Sequence, residues 1–208
     1  MAHTAYLGQR VAALPTLPLA SHHDWLLVAA WLLAVIQVGA LFYFPRKTLG
    51  VFLLPAVLAL VGMATFATAK PLASFEAPRV WGLIHGVFLL LGTIAVLLGF
   101  LAGLMYLVQS RRLKQKRSLS KGLLLPSLEW LERLNSRSRG AATMLVGGGF
   151  LTGVITHIAR SDDLSSLPWT DPVVLSLSAM LLWLVVAEAF RMIYPAARRG
   201  RKVAYLTI

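Results

Sequence analysis

Five histidines, His3, His22, His23, His85 and His157, are the side chains of this sequence best able to do chemistry at neutral pH. Cysteine is absent, so thiol exchange and thiolate ligation are excluded. Redox or metal chemistry must therefore run through histidine, methionine or a bound cofactor. Two of the histidines end glycine-lined helical faces. His85 is followed at intervals of seven by Gly92 and Gly99, with Gly103 a turn further on, and His157 is preceded at intervals of four by Gly153 and Gly149. Glycine stripes let backbones approach closely or leave room for a flat ligand. Neutral imidazole is a common axial ligand of haem iron, so the chemistry these spacings suggest is haem ligation by His85 and His157.

A porphyrin also needs an apolar, aromatic surround, which Trp25, Trp81 and Trp169 could supply near His22, His23, His85 and His157. The competing reading is that tryptophans mark a membrane interface whatever the function, and that a histidine at a helix end is simply solvated. Zinc is less well served, because acids on that side are few, with Asp24, Asp162, Asp163 and Asp171 among them. None of the expected spans carries two histidines spaced along it, which argues against a pair of haems stacked at two depths for transmembrane electron transfer. There is no phosphate loop and no nucleophile-elbow pattern with Ser, His and Asp, so hydrolase and nucleotide-driven pump readings lack support. A transporter reading ranks third, for want of a discontinuous helix pair or a charged midplane site.

The elements that must position these residues are membrane helices. The 208 residues are 58% hydrophobic and 13% charged, and uncharged stretches run from Trp25 to Phe44, Leu49 to Ala69, Val80 to Ser110, Gly140 to Ala159 and Pro172 to Ala187. Each reaches or approaches the ~20 residues that cross a bilayer. None alternates like a barrel strand, so helices are the reasonable spanning elements. The expected fold class is an all-α multi-pass bundle of about five transmembrane helices, near 25–44, 49–69, 81–108, 140–158 and 172–194. Residues 1–23 form an outer tail with no visible cleavable signal, and 24–208 form a single membrane domain.

The net charge of +12 is distributed as a topology signal. Arg46 and Lys47, the run Arg111, Arg112, Lys114, Lys116, Arg117 and Lys121, then Arg133, Arg137 and Arg139, and finally Arg191, Arg198, Arg199, Arg201 and Lys202 all fall on one side. Only Arg10, Lys70, Arg79 and Arg160 fall on the other. The positive-inside rule then puts the amino terminus outside and the carboxyl terminus inside, in the cell's inner (plasma) membrane. Anionic lipid at the inner face explains the basic residues better than nucleic acid, which is not expected as a partner.

Within the inner loop 109–139, Leu128, Leu131 and Leu134 share a helical face with Trp130 beside them, and Ser127 can cap it. An amphipathic helix over 127–136, lying on the inner leaflet, is expected. Pro55 should remove one backbone hydrogen bond from the second span. Glu188 and Arg191, three residues apart, can pair structurally on one face of the last.

From His85 to Ile208 the chain resembles the cytochrome c assembly protein family, the haem-handling membrane proteins of the CcsA, CcmC and HemX types. The residues that carry the resemblance are Trp81-Gly82-Leu83-Ile84-His85, Gly103-Leu104-Met105-Tyr106-Leu107-Val108-Gln109, Leu125-Pro126-Ser127-Leu128-Glu129-Trp130-Leu131-Glu132, Gly148-Gly149-Phe150-Leu151-Thr152-Gly153, Trp169-Thr170-Asp171-Pro172 and the basic ending from Arg198. The resemblance implies haem binding at the outer face and presentation of haem to apocytochrome c or to another assembly membrane protein, without enzymatic turnover. It implies an axial role for His85, and the partial motif adds Trp169 and Asp171 to a site that otherwise comprises His85, His157, Trp81, Gly92 and Gly153. The outer segment from Arg160 to Pro172 holds a single tryptophan, which places the chain nearest the HemX-like branch, with its link to haem synthesis. Members run on beyond the position of Ile208 to a second histidine. Three expectations stay open: His157 substitutes for it, another chain supplies the ligand, or the site is incomplete. The alternative function is a non-haem structural or regulatory subunit of a larger membrane complex.

Overall fold

The computed structural model describes residues 2–13, 21–43, 49–68, 79–115, 126–161 and 170–193, and these are almost wholly helical, with no strand among them. In chain order the helices are α1 (Ala2–Ala13), α2 (His22–Tyr43), α3 (Gly50–Phe66), α4 (Arg79–Lys114), α5 (Leu128–Ser161) and α6 (Pro172–Ile193). The all-α multi-pass class expected from hydropathy is the observed one. Four helices, α2, α4, α5 and α6, are long and apolar enough to cross a membrane. With 17 residues, α3 is shorter, about 25 Å at ~1.5 Å per residue, against a hydrocarbon core of ~30 Å.

Where the sequence shows no boundary, the fold divides into two compact units, Met1–Ser74 and Phe75–Ile208. In the first, α2 packs against α3, and α1 touches α2, where the Trp31 indole donates to Thr4 Oγ1 at 3.1 Å. The stretch expected as an outer tail thus contains a helix, Ala2–Ala13. A reciprocal cap starts α2: Ser21 Oγ accepts from the Asp24 amide at 3.1 Å and donates to Asp24 Oδ2 at 2.7 Å. Pro55 lies inside α3, which continues through it.

In the second unit α5 packs against both α4 and α6, and Ala95, Ala142, Val146 and Leu184 from the three helices form one buried cluster. The 36 residues of α4 and 34 of α5 make helices of about 50 Å, well beyond the ~30 Å core. Arg111, Arg112 and Lys114 lie in the last turn of α4, where cations complement the helix dipole. The stretch expected as a separate surface helix over 127–136 is instead continuous with the span expected from 140, as the first third of α5, which begins at Leu128. Ser127 does cap it, its Oγ accepting from the Trp130 amide at a long 3.4 Å. Leu131 is fully buried, and one turn on, Asn135 Nδ2 donates to Gly99 O of α4 at 3.0 Å. This face is therefore turned to α4 rather than to lipid. At the start of α6, Asp171 Oδ1 accepts from the Val173 amide at 2.7 Å, with Pro172 at the first helical position.

Candidate functional site

The seam between α4 and α5 is built on glycine. A Cβ added at Gly92 would meet Val146 Cγ2 at 2.9 Å, one at Gly149 would meet Leu89 Cδ2 at 2.5 Å, and one at Gly148 would meet the Phe88 ring at 3.2 Å. The series ends at Gly153, where a Cβ would come within 2.9 Å of His85 Cε1 and 3.1 Å of its Nδ1. Each step of three or four residues along α4, from Gly92 through Leu89 to His85, meets an equal step along α5, from Val146 through Gly149 to Gly153. Trp81 lies one turn before His85 on α4, and His157 one turn after Gly153 on α5.

Of the two uses a glycine stripe allows, this seam shows close approach. The space at Gly92 is taken by Val146 and the space at Gly153 by His85, so neither glycine lines an open slot for a flat ligand. What the missing side chains admit at the outer end is the imidazole itself. His85 Nδ1 lies 2.7 Å from Gly149 O. A carbonyl can only accept, so Nδ1 carries the proton and donates, and the neutral ring keeps its lone pair on Nε2. A metal-ligating histidine is commonly oriented in this way, its second nitrogen donating to a backbone carbonyl.

The fit to haem is accordingly partial. The chain offers one oriented axial imidazole, His85, with Trp81 one turn away on the same helix and 38% exposed. His157 is half-buried one turn beyond Gly153. Among the described residues no three or more His, Asp or Glu side chains gather to hold a bare metal ion. The carboxylate of Asp171 serves as the cap of α6. Trp169 lies outside the described residues, as does the side chain of His3. In the other unit His22 is exposed, and His23 Nδ1 lies 3.5 Å from Asp24 Oδ1.

Two features escaped the sequence reading. Thr152 Oγ1 donates within 2.9 Å of Gly149 O, the carbonyl that His85 uses. Its position between two glycines of the α4-facing stripe is a signal that could have found it. Arg139, counted among the loop cations, is buried within α5 and faces Glu188 Oε2 at 3.4 Å. The expected partnership of Glu188 with Arg191 is present, and Arg191 Nη1 also donates to Ser136 Oγ at 3.0 Å.

The fold defines a class: a helical, multi-pass membrane protein whose principal helix pair is joined by a glycine seam ending in a histidine. Compared with known proteins, the chain matches no family model, no curated protein and no solved structure.

Proposed function

We propose that this is a haem-binding membrane protein of the cytochrome c biogenesis type, resident in the cell's inner (plasma) membrane and presenting haem near the outer ends of α4 and α5. The observation that carries the reading is the bond from His85 Nδ1–H to Gly149 O, which leaves Nε2 as an oriented ligand. Haem is cargo here rather than a resident catalyst, and its iron needs only an axial nitrogen from the chain. His85 holds it, Gly153 gives the ring its place, Trp81 offers an aromatic wall, and His157 is the candidate second ligand. Presentation to apocytochrome c, or to another assembly membrane protein, requires no bond making by these residues, so the protein is not read as an enzyme. Anionic lipid is the proposed company of the basic inner face. The resemblance of residues 85–208 to cytochrome c assembly proteins supports the same reading.

Titration of haem into the purified protein tests it. A Soret band that disappears in His85→Ala and persists in His22→Ala is expected. Gly153→Ala keeps the histidine but crowds its ring, and affinity should fall about tenfold, equivalent to ~1.4 kcal/mol. Unchanged haem binding in His85→Ala would overturn the proposal.

A second reading has its own support, because the glycine faces are filled by Val146, Leu89, Phe88 and His85. On that reading the helices are a structural or regulatory scaffold within a larger membrane complex. A His85→Ala, His157→Ala double variant that assembles and functions normally in cells would favour the scaffold.

A further inference from the structure

The carbonyl of Gly149 is crowded with donors. It receives His85 Nδ1–H at 2.7 Å and lies 2.9 Å from Thr152 Oγ1, and in the helical ladder of α5 it also faces the Gly153 amide. A carbonyl oxygen has two lone pairs, so three donors cannot all bond to it at full strength. Thr152 has one hydroxyl proton and two carbonyls in reach, the other being Gly148 O at 2.8 Å. At 9% exposure the hydroxyl is buried in the helical packing.

The other threonines of α4 and α5 behave differently. Thr93, Thr143 and Thr156 each donate to the carbonyl four residues back, Leu89 O, Arg139 O and Thr152 O, the usual way a threonine is satisfied inside a membrane helix. Thr152 alone among these four also reaches the carbonyl three residues back, and that carbonyl is the one the imidazole uses.

We infer that Thr152 is a positioning residue for His85: by sharing the Gly149 carbonyl it weakens the Nδ1–H bond and so limits how strongly Nε2 donates electrons to whatever it ligates. A stronger bond at Nδ1 gives the ring more imidazolate character and makes Nε2 a better donor. Removing the hydroxyl therefore strengthens the donor, and with haem on Nε2 it favours the ferric over the ferrous state. The consequence for haem rests on the function proposed above, whereas the sharing of the carbonyl does not.

The full chain, reconstituted in nanodiscs with ¹⁵N-labelled histidine, provides the test without haem. The His85 side-chain signals are assigned by their loss in His85→Gln. In Thr152→Val, which keeps the branched shape, the His85 Nδ1–H proton should move downfield, and Thr152→Ser should restore the original position. Thr152→Ala removes the hydroxyl by another route and should shift the signal in the same direction, which covers the case of a valine variant that does not fold. An Nδ1–H signal identical in wild type and in the hydroxyl-free variants, or a shift in serine equal to that in valine, would overturn the inference. With haem added, the ferric-to-ferrous affinity ratio should rise severalfold in Thr152→Val. If wild type shows no His85-dependent Soret band while the Nδ1–H shift persists, the haem reading fails and the role of Thr152 stands.

Discussion

Glu188 is the residue on which most charge depends. Its two carboxylate oxygens face Arg139 and Arg191, and the Arg139 side chain is 1% exposed. Spacing of three along one helix revealed the Arg191 contact in advance. Arg139 could not be found in that way, because it lies on another helix and its charge reads as one more inner-loop cation. Taking one member from a buried ion pair costs far more than replacing both by apolar groups, since the remaining charge keeps its desolvation penalty. Glu188→Gln should therefore destabilise the protein by about 3–5 kcal/mol. Arg139→Met with Glu188→Met should cost less than Glu188→Gln alone. Thermal unfolding of the variants in detergent checks the order, and equal losses in the two would contradict it.

At the scale of elements, the contact of α4 with α5 depends on positions without side chains. Membrane helices gain little from the hydrophobic effect among themselves, so close backbone approach and interhelical hydrogen bonds carry their association. Gly92 meets both a β-branched side chain and backbone, with Val146 Cγ2 at 2.9 Å and Val146 N at 3.3 Å from a built Cβ, whereas Gly62 in α3 has nothing within 4 Å. Gly92→Val is expected to cost about 1–3 kcal/mol, as overpacking does, and Gly62→Val less than 1 kcal/mol on the same basis. Protease resistance of the two variants in membranes reports the difference. The glycine stripes were legible as small faces, but whether a partner helix or a ligand fills them depends on a register that only the packed pair defines. Hydropathy likewise located the apolar stretch from Gly140 but missed that α5 begins at Leu128. Charged and amide side chains such as Arg133, Asn135 and Arg139 lower the apolar average without interrupting a helix.

At the scale of the whole molecule, the crossing of α3 determines the topology. If it crosses, the amino terminus shares a side with the start of α6; if it does not, the two lie on opposite sides. The chain has no cysteine, so single engineered cysteines report cleanly. With the positive-inside arrangement, Gln9→Cys and Val173→Cys should react with an impermeant maleimide from outside, and Leu113→Cys only after permeabilisation. Reaction of Val173→Cys alone from outside would show that α3 does not cross. The sequence by itself determined the all-α membrane class, because lipid leaves helices as the spanning solution for long uncharged runs. Its glycine spacings, periodic and therefore visible in one dimension, also marked His85 and His157, and the family resemblance put His85 first. Only the tertiary structure decided that the glycines receive Val146, Leu89 and His85, and that His85 shares its carbonyl acceptor with Thr152. Those outcomes are set by contacts between residues far apart in the chain, whose geometry no local pattern contains.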